Sequence, residues 1–196
     1  MLTRQLINVP VHLGLEHYPN IYCGVAVFLL YPLYVMDKDI NLCEKIGKSV
    51  LLLIFLTAFN LNIPNFIWHG FHYPNSLPCR QSFIYIFFLL TMCYEALSHI
   101  KRMTSRQLGI AVWISLGLLV LIEQVFAVDE TYDFKAIYLS GAFILVYAGL
   151  MIVYNKTNWK LPVTVFLAFI VCIIECTINM LSLIHISEPT RLQLIS

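Results

Sequence analysis

Six stretches of this chain are almost wholly apolar, and short polar connectors separate them. They run over Ile21–Met36, Val50–Ile63, Phe83–Leu97, Leu108–Val128, Ala136–Tyr154 and Leu161–Leu181. The last three approach the ~20 residues that a helix needs to cross a bilayer, while the first three fall short and must borrow flanking residues, Phe66–Trp68 for the second. The pattern predicts an all-α, polytopic transmembrane bundle of about six spans. Asp37–Lys48 reads as a polar connector between the first two runs. Residues 1–20 are amphipathic at best, because Pro10, Gly14 and Pro19 interrupt any helix there.

The stretch that breaks the pattern is Pro64–Phe83, reading PNFIWHGFHYPNSLPCRQSF. Pro64, Pro74 and Pro78 each lack an N–H and bias the preceding residue toward extended geometry, so the stretch predicts a structured loop. It carries Trp68, His69, His72, Tyr73 and Arg80 between two apolar runs. Irregular backbone loaded with aromatic, imidazole and cationic groups is where binding or chemistry is expected in a chain of lipid-compatible helices.

Composition agrees with the pattern. Hydrophobic residues make up 60% of the chain and charged ones 12%, against roughly half and a quarter in soluble domains, and the mean hydropathy is +0.80. The net charge of +1 and the absence of a Lys/Arg-rich run give no reason to expect nucleic acid. The placement of charge says more. Lys38, Lys45, Lys48, Lys101, Arg102, Arg106, Lys156 and Lys160 fall on alternate connectors, against Arg4, Arg80 and Lys135 on the others. By the positive-inside rule the first group is cytoplasmic. The N-terminus, the 64–83 loop and the acidic Asp129, Glu130 and Asp133 connector are then outside. Of the six cysteines, Cys23, Cys93, Cys172 and Cys176 lie within apolar runs and read as small packing residues.

Several side chains are candidates for chemistry. His69 and His72 are three residues apart, a spacing that shares a metal on a helix, but no Asp or Glu accompanies them in the loop, and interfacial packing is the plainer reading. No metal and no cofactor is expected, since no P-loop, GxGxxG, HExxH or GxSxG occurs. Arg80 stands just outside the third apolar run, where a guanidinium fork either grips a phosphate in two places or snorkels to headgroups. Glu123 and Glu175 are ionisable groups inside or near the ends of apolar runs. Each must face protein or water, and an interhelical hydrogen bond accounts for them more simply than a proton relay or a substrate hydroxyl contact. Glu95, near Lys101 in sequence, reads as interfacial.

The end of the chain has a different character. Leu181–Arg191, reading LSLIHISEPTR, resembles a translation of the transposase adapter used in sequencing-library preparation. On that resemblance residues 1–180 form a fragment of a larger integral membrane protein and residues 181–196 form a non-native tail. A genuine amphipathic tail broken at Pro189 is the alternative.

The loop motif WHGFHYPNSLPCRQSF, with FNLNIPNFI before it and MCYEAL (Met92–Leu97) after it, resembles the YfhO family of bacterial membrane proteins. PNIYCG (Pro19–Gly24) and KDINLCEK (Lys38–Lys45) are similar to the same family, and the resemblance covers residues 18–179. It implies an internal fragment of a GT-C type glycosyltransferase of the bacterial cell membrane. Such an enzyme moves a sugar from a polyprenyl-phosphate donor to a cell-envelope glycopolymer acceptor such as lipoteichoic acid on the outer face. By position it offers Arg80, His69, His72, Tyr73 and Asn75 for substrate binding. The family's acidic base lies in an N-terminal loop with no counterpart here, so this fragment alone is expected to be inactive. A membrane transporter and a non-catalytic structural segment are the other classes open to it.

Overall fold

The computed structural model describes Leu6 and residues 21–68, 70, 81–126, 134–157 and 161–193. Among these, the chain forms seven α-helices and no strand: α1 (Ala26–Met36), α2 (Leu42–Asn60), α3 (Asn62–Trp68), α4 (Ser82–Ser98), α5 (Ser105–Phe126), α6 (Phe134–Lys156) and α7 (Leu161–Gln193). A single 3-10 turn, Ile100–Arg102, joins α4 to α5. Three helical stretches are long and apolar enough to cross a membrane: Ser105–Gln124, Lys135–Lys156 and Leu161–Leu181. These are the runs that come closest to ~20 residues in the sequence.

The first run departs most from its expectation. Only 11 of its residues are helical, because Ile21–Gly24 lie outside the helix and Gly24 takes φ +98°, a left-handed conformation that other residues adopt at a cost. α1 nevertheless occupies the centre, packed against α4, α5 and α6. Val27, Phe28, Leu29, Leu30, Leu33 and Tyr34 are all buried in it. A helix too short to span and apolar all round is stable where protein covers it.

Pro32 sits inside α1 and has no N–H for the carbonyl of Phe28, four residues back. The hydroxyl of Ser115, fully buried on α5, lies 2.7 Å from that carbonyl and 2.7 Å from the Ala111 carbonyl of its own helix, so its one proton is shared between them. The neighbouring helix thus repairs the break that proline makes, which is how a proline is tolerated in an apolar interior.

Two boundaries differ from the sequence expectation. The Asp37–Lys48 connector is in fact only Asp37–Asn41, since Asn41 caps α2 by accepting from the Cys43 amide and the helix starts at Leu42. The 64–83 loop also shrinks, because Pro64 falls in the first turn of α3, where a helix needs no N–H from it. α3 ends at Trp68, whose ring stacks on Phe55 of α2 with centroids 4.9 Å apart. Beyond it Gly70 takes φ +67° and donates to the carbonyl of Ile67 at 3.1 Å. A left-handed glycine there is the usual way of ending a helix.

The three basic connectors meet at one end of the bundle, as their shared charge predicts. His99 Nδ1 lies 2.7 Å from Asp37 Oδ2, and Arg102 donates to Asp39 at 2.8 Å. Lys101 donates to the carbonyl of Thr157 at 3.0 Å, and Asn155 to those of Ile100 and Met103 at 2.7 and 2.9 Å. Lys45 reaches the carbonyls of Val35 and Asp37, and Gln107 that of Met36. Carbonyls left without partners at helix C-termini are therefore satisfied by cations and amides from neighbouring helices.

Candidate functional site

Among the described residues, Glu175 of α7 is a carboxylate buried in the bundle, only 1% exposed. Its Oε1 accepts the Tyr22 hydroxyl and the Val25 amide, both at 2.6 Å, and its Oε2 accepts the Tyr147 hydroxyl of α6 at 2.6 Å. The local chain explains the first contacts. Because the run breaks at Gly24, the Val25 amide at the start of α1 has no helical acceptor, and a carboxylate from another helix supplies one. The positive end of the α1 dipole favours negative charge at that point. The interhelical hydrogen bond expected of Glu175 is thus present, with three donors on one carboxylate. The tyrosines were not legible as its partners, since Tyr22 lies 153 residues away in the chain.

Glu123, the other acidic residue inside an apolar run, is half-buried on α5. Glu95 pairs with Lys48 of α2 at 2.6 Å rather than with Lys101, and Lys48 also reaches Glu44 at 2.6 Å. Burial pushes the Lys48 ammonium down, but hydrogen bonds to Glu44 and Glu95 outweigh it and the net shift is upward. Cys23 is half-buried and Cys93 buried, as packing residues should be, whereas Cys172 and Cys176 are exposed on α7.

At the basic end, ligand atoms of Asp37, Asp39 and His99 lie within 4.8 Å of one another. Each already has a protein partner, since His99 meets Asp37 and Arg102 meets Asp39. The hydrogen bond from Arg102 holds the Asp39 carboxyl below its ordinary value, and Asp39 in return raises Arg102. This cluster was not singled out in the sequence, where Asp37 and His99 are 62 residues apart.

An apolar cavity of about 210 Å³ opens between α1, α2, α4 and α5. Phe28, Leu52, Leu56, Tyr85 and Leu89 are among the residues of its wall, and the Tyr31 hydroxyl, also lining it, donates to Ser49 Oγ at 3.2 Å. The proposed binding residues His69, His72, Tyr73, Asn75 and Arg80 all lie outside the described residues. The direction of α4 still fixes where their segment rejoins the bundle. His99, just past the end of α4, belongs to the basic end, so Gln81, just before its start, is at the opposite end, about 25 Å away for 17 residues.

The family profile described as bacterial membrane protein YfhO matches residues 6–194. The chain belongs to the YfhO family. This agrees with the resemblance carried by its loop motif and with an all-helical membrane bundle. No curated protein and no solved structure matches it. As a YfhO-family protein it is a bacterial membrane protein, and its three long apolar helices are suited to the bilayer.

Proposed function

We propose that this YfhO-family chain is a segment of a membrane glycosyltransferase that transfers a sugar from a polyprenyl-phosphate donor to a cell-envelope acceptor such as lipoteichoic acid on the outer face. Family membership over residues 6–194 carries the reading, because the GT-C chemistry is what the resemblance implies. Two features support it. The apolar cavity beside α1 suits a hydrocarbon chain, and the basic connectors gather at the end of the bundle away from the start of α4.

In this reading Arg80 grips the donor phosphate through two parallel hydrogen bonds, with His69, His72, Tyr73 and Asn75 beside it. A polyprenyl-phosphate leaving group gains charge as the sugar departs, so a fixed guanidinium stabilises the transition state more than the ground state.

The test follows sugar transfer from a polyprenyl-phosphate donor to lipoteichoic acid in liposomes holding the protein that contains this segment. Arg80→Ala is expected to lower kcat/KM about ten- to a hundredfold, as loss of a charge-assisted contact worth roughly 1.5–3 kcal/mol predicts. Arg80→Lys keeps the charge and loses the fork, and should remain impaired. Absence of transfer in the wild type, with donor binding also absent, would reject the reading.

A further inference from the structure

The packing of α1 and α2 leaves a slot between them. α1 packs against α4 and α5 and α2 against α3 and α4, so the two lean on α4 side by side. The lining residues of α2 run from Ser49 to Leu56, about 10 Å of helix rise in the middle of its 19 residues. Toward the basic connectors the slot is bounded by the hydrogen bond from Tyr31 to Ser49. Toward the opposite end, just past Leu56, Phe59 meets the ring of Tyr85 edge-on, with centroids 5.7 Å apart. Both ends are thus capped by side chains. The side is not, because Leu53 lines the slot and is itself 58% exposed on the surface of α2.

Water is poorly suited to this space, since a buried water needs about two to four polar partners. Among the lining residues only Tyr31, Ser49 and Tyr85 carry polar side chains, and the first two are bonded to each other. A dry cavity of about 150 Å³ takes up a molecule as large as benzene, and this one measures about 210 Å³. In a bilayer protein its open side faces hydrocarbon, so the surrounding acyl chains stand at its mouth at the concentration of a solvent. An acyl chain is slim and runs along the membrane normal, as the slot does along α2. A polyprenyl chain carries a methyl branch in every isoprene unit and needs a wider channel.

We infer that this slot binds one acyl chain of a bilayer phospholipid, which enters sideways past Leu53 and lies against Phe28, Leu52 and Leu118. α2 is then joined to α1 and α5 through lipid as well as through the Tyr31–Ser49 contact. The site does not depend on sugar transfer, and it names the bilayer's own lipid as the occupant.

The experiment is photolabelling of the full chain in phosphatidylglycerol nanodiscs that contain a trace of phosphatidylglycerol with a diazirine near the end of one acyl chain, read by peptide mass spectrometry. Phe28 and Leu52, 6% and 5% exposed, are out of reach of lipid that merely surrounds the protein, and both should carry adducts. Phe169, exposed on α7, should carry them in every sample. Two variants put bulk into the slot, Leu52→Trp from α2 and Leu89→Phe from α4. Each should lose the Phe28 adduct and keep the Phe169 adduct. A polyprenyl phosphate added in the same amount as the probe should leave the wild-type adducts unchanged. Absence of adducts on Phe28 and Leu52 in the wild type overturns the inference, as does a Phe28 adduct that persists in the filled variants. Loss of the wild-type adducts to polyprenyl phosphate overturns it too, by giving the slot to an isoprenoid chain. The wild-type measurements decide the matter even where a filled variant fails to fold.

Discussion

The hydroxyl of Ser115 on α5 shares its proton between the carbonyl of Ala111 on its own helix and that of Phe28 on α1, the carbonyl that Pro32 leaves without a helical partner. Removing the donor in Ser115→Ala strands a buried acceptor and should lower stability by about 1–2 kcal/mol. Pro32→Ala restores an N–H for Phe28, so the cost of Ser115→Ala should largely disappear in the double variant. A thermal-denaturation cycle of the four proteins reads the coupling directly, and additive effects would show that the two residues act independently.

Gly24 offers a second backbone test. Its φ of +98° breaks the first run ahead of α1, and a Cβ there would meet Glu175 Oε1 at 3.9 Å, an ordinary contact. Space is available, so the penalty of Gly24→Ala is conformational, about 1–3 kcal/mol. Melting in detergent should show a clear loss for Gly24→Ala and little for Gly149→Ala, a helical glycine with open space around it.

Legibility in the sequence follows the same physics. α5, α6 and α7 were evident because ~20 apolar residues in a row have few other fates, and the meeting of the basic connectors followed from their charge. The short α1 was not, since its break at Gly24 is met by Glu175, which accepts the Val25 amide, and its break at Pro32 by Ser115, both from distant parts of the chain. Pro64 reads as a helix breaker until its position in the first turn of α3 is known. Long-range pairs such as Asp37 with His99 and Lys48 with Glu95 leave no local signal at all.

The exposed Arg102–Asp39 pair should respond to acid in a defined direction. Asp39 is held below its ordinary value of 3.8, so the pair's contribution is present above that pH and is lost as pH falls through the lower folded value. The difference in stability between wild type and Arg102→Gln should be constant near neutrality and vanish in strong acid. It should also shrink with added salt, as an exposed ion pair requires.

Residues 181–196 give a further expectation, resting on the adapter resemblance of Leu181–Arg191. Truncation after Met180 should leave membrane abundance and melting temperature unchanged. A fall in either would mean that the tail contributes to the folded protein.

Transfer on the outer face requires the 69–80 segment to be outside while the basic connectors are inside, and single-cysteine labelling with a membrane-impermeant reagent tests this arrangement most directly. In a cysteine-free background in intact cells, Asn75→Cys should label at once, and Ser105→Cys, exposed on the connector side at the start of α5, only after permeabilisation. Labelling of Ser105→Cys from outside with Asn75→Cys protected would contradict the arrangement and the outer-face reaction with it.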